Sequence, residues 1–323
     1  YYVDNHASLA IDLSLHIPLK VLLFRQAGRA YLLFIMHHAA ADGLSGFFFI
    51  QQLIRYYEDM LYGRKEAPVP ADAFKDMSLP DVRFRWRHFS PRRLRPFFEN
   101  FFLTLKAPAL NAYPGKTRTI DGKFNSMVRQ LSPERMADIR RTAKQYGATV
   151  NDYLLAAMFQ TLKEWCGDWI QPSDRIYINV PMSLRSPEDR TLSNILSGVT
   201  MSLRPGSITV REEMLPLIRK EIAALTASNI AETLIYVSAL IKPLPIAVRR
   251  RFLKQNASSY APTIVLSNMG ILSPNHSHRD ADGFHCMGGA RIRDLYGIPA
   301  VGAWPMLLLY TYNDRMIFNL SFL

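Results

Sequence analysis

Cysteine is nearly absent: the 323-residue chain holds two, Cys166 and Cys286. They form no CxxC pair, so neither a disulfide framework nor a zinc knuckle is supported, and no metal site is expected. Such sparse cysteine fits a reducing, cytoplasmic setting, with both residues read as buried or incidental thiols. Also missing is any apolar run near the roughly 18 residues that a membrane-spanning helix needs. The opening Tyr1-Tyr2-Val3-Asp4-Asn5-His6 has neither the basic n-region nor the apolar h-region of a signal peptide. It also lacks an initiator methionine, and the sequence is expected to be the ordered remainder of a longer chain whose N-terminal part is missing. Acidic residues are the scarcer charge, 27 against 39 lysines and arginines, for a net charge of +12. Half of that excess lies between Arg83 and Lys106, where Arg83, Arg85, Arg87, Arg92, Arg93, Arg95 and Lys106 face one acid, Glu99. The rest is only mildly basic, unlike a diffuse nucleic-acid footprint, and no nucleic-acid partner is expected.

What is present describes a globular protein with a sizeable core: 49% hydrophobic, 20% charged and 11% aromatic residues. Leu19–Phe24 and Tyr31–Met36 read as a hairpin turning at Gln26-Ala27-Gly28-Arg29. The second strand is apolar without alternation, so it is expected to be buried on both faces. A helix follows over 44–62, stopped by Gly63. Pro68, Pro70 and Pro80 mark a loop, and Pro108 and Pro114 a crossover between two halves. A strand is expected over 123–131. Ser132-Pro133-Glu134 starts a helix that ends before Gly147. Thr149 and Asp152 form a capping box for the next, which runs to Trp165. Strands are expected over 175–180, ending at Pro181, over 196–203 and over 263–266. Helices fill much of 209–256, and a closing hairpin over 306–320 turns at Asn313-Asp314. The class is α/β with mixed sheets.

The richest stretch is His37-His38-Ala39-Ala40-Ala41-Asp42-Gly43, delivered to the end of the second strand. Histidine is the usual general base, since its ordinary pKa lies closest to neutral. A nearby aspartate fixes the surroundings without taking the proton, and Gly43 lets the chain turn sharply into the helix. Adjacent residues on a strand point to opposite faces, so His37 and His38 do not readily chelate one ion. His276 and His278 form an HxH in a Ser-, Pro- and Asn-rich segment and read as a solvated loop.

The HHxxxDG pattern resembles that of the acyl-CoA-dependent acyltransferase superfamily, which includes chloramphenicol acetyltransferase, condensation domains of nonribosomal peptide synthesis, wax ester synthases and alcohol acyltransferases. Thr149-Val150-Asn151-Asp152-Tyr153-Leu154-Leu155-Ala156-Ala157 is similar to the helix start of their second half. Val180-Pro181-Met182-Ser183-Leu184-Arg185, with Ser193-Asn194 after it, is similar to their internal strand and loop. Ser267-Asn268-Met269-Gly270 resembles their late Ser-Asn-x-Gly turn, and Tyr310-Thr311-Tyr312-Asn313-Asp314 their closing hairpin.

The resemblance implies two chloramphenicol-acetyltransferase-like subdomains, here 1–120 and 121–323, set in a V with the active-site tunnel between them. It casts His38 as the general base, His37 as structural, and Asp42 as a loop-shaping acid paired with an arginine, for which Arg185 is the candidate. The helix after Gly43 adds a positive dipole. Backbone amides around Gly43 and the Asn268 side chain are candidate oxyanion donors, Asn268 reading equally as a turn residue. No acyl-enzyme is implied, because nothing resembles an activated nucleophile. The expected reaction is O-acyl transfer from a thioester, either acyl-CoA or a phosphopantetheinyl acyl-carrier protein acting as co-substrate. No bound cofactor is implied. The acceptor is a hydroxyl-bearing small molecule or lipid. The alternatives are an amide-forming condensation domain and a non-catalytic scaffold binding a carrier protein or lipid. The basic, aromatic stretch 83–106 has three readings: a solvated helix face, a peripheral contact with an anionic membrane, or a dock for the phosphates of CoA or a carrier protein.

Overall fold

The computed structural model describes residues 11–63, 110, 125–185, 189, 191–227, 243–249, 262–273, 279–299 and 304–322. Strands β1 (Leu19–Gln26) and β2 (Arg29–Met36) form an antiparallel hairpin. Its turn has positive φ at both Ala27 (46°) and Gly28 (74°), the pair that matches the twist of the flanking strands. The expectation that β2 is buried on both faces fails. Tyr31 is 51% and Leu32 39% exposed, and among the described residues β2 pairs with β1 alone. An unbroken apolar run is buried on both sides only where other layers cover it, and here only the second half of β2 is partly covered.

Helix α1 (Gly43–Leu61) follows, and Gly63 beyond its end adopts φ 63°. The rest of the described chain is organised around a six-stranded sheet in the order β3-β10-β9-β6-β4-β5. Its strands are β3 (Asn125–Leu131), β4 (Ile176–Ser183), β5 (Leu196–Leu203), β6 (Ile264–Ile271), β9 (Met306–Tyr312) and β10 (Arg315–Phe322). The β4–β6 and β6–β9 pairs are parallel and the others antiparallel, so the sheet is mixed, as expected. A small separate ribbon joins β7 (Cys286–Met287) to β8 (Ala290–Arg291).

Alternation along the central strands sends side chains to two cores. Ile176, Ile178, Leu266, Leu309 and Met316 pack with α2 (Pro133–Gln145), α3 (Val150–Trp165) and α4 (Arg211–Ala227) through Met136, Phe159, Leu215 and Ile218. Leu308, Tyr310, Tyr312 and Ile317 face the other way and receive Phe47 of α1. The sequence-read caps are present: Ser132 accepts from the Arg135 N–H, and Thr149 and Asp152 close a reciprocal box.

Two strands outrun expectation. β4 continues through Pro181 to Ser183, paired with β5 throughout. Its pairing with β6 ends at Asn179, so beyond that point β4 has no β6 ladder for the proline to interrupt. β6 continues past Leu266 to Ile271 by an irregularity between Asn268 and Ile271, where Gly270 takes φ 73°.

Candidate active site

The histidines stand in the turn between β2 and α1. The His37 N–H donates to the Pro18 carbonyl at 2.9 Å, and its Nδ1 accepts the Ala39 N–H at 3.1 Å. With Nδ1 used as an acceptor, the neutral His37 ring carries its proton on Nε2. His38 is exposed. The Asn194 side-chain amide donates to the His38 carbonyl at 2.8 Å and lies 3.3 Å from its Nδ1.

Four residues on, Asp42 is sealed. Its side chain is 0% exposed, and that of Arg185 4%. Oδ1 accepts the Ser45 N–H at 2.8 Å, which makes Asp42 the N-cap of α1. Oδ2 accepts from Arg185 Nη1 at 2.5 Å and from the Ile195 N–H at 2.9 Å. Arg185 Nη2 donates to Ser45 Oγ at 2.6 Å and to the Ser193 and Thr191 carbonyls at 2.5 and 3.1 Å. A buried carboxylate is tolerable because a paired cation and backbone donors replace the lost water. Each of these bonds is structural, and among the described residues none reaches a histidine.

Gly43 stands where the chain turns into α1. It is already the first residue of α1, and no positive φ is found there. What it supplies is space: a Cβ would lie 3.0 Å from Met269 Sδ and 3.2 Å from Met269 Cε. The irregular end of β6 therefore packs directly on the helix start. The neighbouring Asn268 gives its amide N–H to Asn151 Oδ1 at 2.7 Å and accepts the Gly270 N–H at 2.8 Å. It fastens the β6 turn to the start of α3, and among the described residues no hydrogen bond joins it to His38.

Away from this cluster, Cys166 and Cys286 are free and buried, as expected, and burial pushes the Cys166 thiol up to about 11. His285 is buried, 3.1 Å from Ser273 Oγ and stacked on Tyr312. Burial, with the Arg279 charge second, holds its pKa below the ordinary 6.5. Among the described residues no group of three or more histidines, cysteines or acids is placed to hold a metal ion. Among them, too, no helix is long and apolar enough to cross a membrane. The 83–106 stretch, His276 and His278 lie outside the described residues.

The sequence reading missed Ser45 and the use made of residues 191–195. Ser45 had one local signal, its place three residues after an aspartate at a helix start. Ser193 and Asn194 stood in a recognised segment, but nothing in their identity pointed to the motif.

Comparison with known proteins places this arrangement. Gramicidin S synthase 1 of Brevibacillus brevis is 24% identical over 184 residues, which make up 53% of this chain and 15% of that protein. The first condensation domain of the CDA synthetase superposes with a TM-score of 0.57 at 15% identity, over 94% of this chain and 60% of that one. The EpoB cyclization-docking bidomain of Sorangium cellulosum gives 0.65 at 14% identity, over 99% and 60%. The chain spans less than two thirds of the length of each of the three. Identities this low in the solved structures speak for the fold, which is the α/β, mixed-sheet fold read from the sequence. A family model reaches further: residues 2–199, more than half of the chain and all of the histidine motif, match the Condensation domain, and the chain belongs to that family.

Proposed function

We propose that the chain joins a thioester-bound acyl group to an amine, forming an amide, with the donor held on the phosphopantetheine arm of a carrier protein. The observation that supports this reading is the pairing of a Condensation-family match with a motif whose second histidine is open while its acid is sealed. The acceptor nitrogen attacks the thioester carbonyl, and the new C–N bond forms. His38 takes the proton shed by that nitrogen. The C–S bond then breaks, and the thiol leaves with a proton returned from His38. Asp42 and Arg185 hold the turn and take no part in proton transfer. The hydroxyl acceptor and acyl-CoA donor read from the sequence fall to second place, because the family and the curated relative point to peptide-type condensation.

Thiol release is the direct test. Acyl groups are supplied on a carrier protein or on CoA, with an amine or an alcohol as acceptor. Release from the carrier, stimulated by the amine, is the expected result. His38→Ala lowers kcat by about 10²–10⁴-fold, the usual contribution of a positioned base. Alcohol-stimulated release from acyl-CoA would restore the O-acyl reading. Silence with every donor would leave a scaffold that binds a carrier without turning it over.

A further inference from the structure

Ser193, Asn194 and Ile195 are consecutive: Asn194 and Ile195 bond two different residues of the histidine motif, and Ser193 bonds Ser45, two residues beyond its end. The Ser193 N–H donates to the Ser45 hydroxyl at 3.1 Å, and that hydroxyl donates to the Ser193 carbonyl at 2.7 Å. Asn194 donates to the His38 carbonyl, and Ile195 to Asp42. Ser45 is 1% exposed, and with Arg185 Nη2 as its other donor its hydroxyl has one donated and two accepted bonds, a full complement. The Asn194 amide also has a defined orientation. Turned over, its oxygen would face the His38 carbonyl oxygen, so the NH₂ must point at the motif. Asn194 is itself exposed.

We propose that Ser45 and Asn194 are positioning residues for His38. Ser45 grips the main chain of Ser193. Asn194, held in register by that grip, fixes the carbonyl of His38 and so the point from which its ring meets the substrate. The inference rests on His38 being the reacting group, and a displacement of about 1 Å there is enough to slow a proton transfer.

Two readouts test it, one independent of turnover. In the full chain labelled with ¹⁵N,¹³C-histidine, His38→Ala identifies the His38 ring signals. Asn194→Ala should move or broaden those signals and leave those of remote His285 in place. In the thiol-release assay, Asn194→Ala should lower kcat about tenfold with the acceptor KM changed less than about twofold. Asn194→Asp, which cannot donate to a carbonyl, should match it. Ser45→Ala should act through the same route, so the double variant should lose no more than the worse single variant. Unmoved His38 signals in Asn194→Ala overturn the proposal whatever the activity, and multiplicative losses in the double variant overturn the shared route. Moved signals in Asn194→Ala, together with a wild-type chain that turns nothing over, support the positioning and overturn the reading of function instead. If Ser45→Ala does not fold, the Asn194 arm decides alone.

Discussion

His38 and Asp42 are four residues apart and live in opposite surroundings. The acid end of the motif is closed: two oxygens, three donors, no exposed side-chain surface. The histidine end is open to solvent, with its main chain held by Asn194, which also lies beside the ring at Nδ1. The contrast divides labour within one turn. Stability is concentrated at the sealed acid, and the reactivity proposed for His38 lies where little stability is at stake. Substitutions at the two ends should therefore fail in different ways.

The largest stability loss is expected at the closed end. Asp42→Ala strands the Arg185 guanidinium in a buried site and removes the cap of α1. Breaking a buried pair on one side costs about 3–5 kcal/mol and a lost cap about 1 kcal/mol, a large part of an ordinary domain's stability. Urea unfolding should show this loss, whereas His38→Ala, at an exposed position, should change stability by less than about 0.5 kcal/mol while abolishing most turnover. Equal destabilisation by the two variants would erase the contrast. A finer cut is the double variant Asp42→Ala/Arg185→Met. With neither charge left buried alone, it should be more stable than Asp42→Ala.

A smaller effect is expected at Gly43, on the boundary between the two ends. An alanine there pushes on the thioether of Met269, the flexible end of a side chain. The clash is partly offset by the better helix propensity of alanine, so the stability change should stay below about 1 kcal/mol. The push falls on the turn that holds Asn268, so kcat should drop more than stability does, and Met269→Ala in the same chain should restore it. Thiol release and urea midpoints on the single and double variants check both halves of the claim. Recovery by Met269→Ala is the decisive part, because a glycine needed for its backbone conformation would not be rescued by space.

How much of this was legible beforehand followed the range of the interactions. The 26–29 hairpin turn, the Ser132 cap, the Thr149–Asp152 box and the turn at Asn313-Asp314 depend on residues within a few positions, and all were readable. The histidine motif was readable too, and Arg185 was picked out through the resemblance of its segment. The burial of β2, the passage of β4 through Pro181 and the extension of β6 were not, because each depends on which distant strand lies alongside. The Ser193 and Thr191 carbonyls that hold Arg185 and Ser45 were invisible for a different reason. Every residue has a carbonyl, so its identity does not reveal when that carbonyl becomes part of a site.

A second histidine sharpens the same contrast at the smallest scale. His285 is buried where His38 is open, and burial together with the Arg279 charge holds its pKa below 6.5. In the unfolded chain the imidazole titrates near its ordinary value, so the unfolded state binds a proton first as the pH falls. Neutral His285 therefore contributes stability that is fully present above about pH 6.5 and is lost as the pH falls toward the lower folded value. Carboxylates elsewhere also titrate on the acid side, which makes the wild-type slope alone ambiguous. His285→Phe keeps a ring against Tyr312 and cannot take a proton, so subtracting its profile isolates the histidine. Between pH 7.5 and 5.5 the urea midpoint of the wild type should fall further than that of the variant. Parallel profiles would mean that His285 is as accessible to protons when folded as when unfolded, and that burial in this fold does not separate a structural histidine from a reactive one.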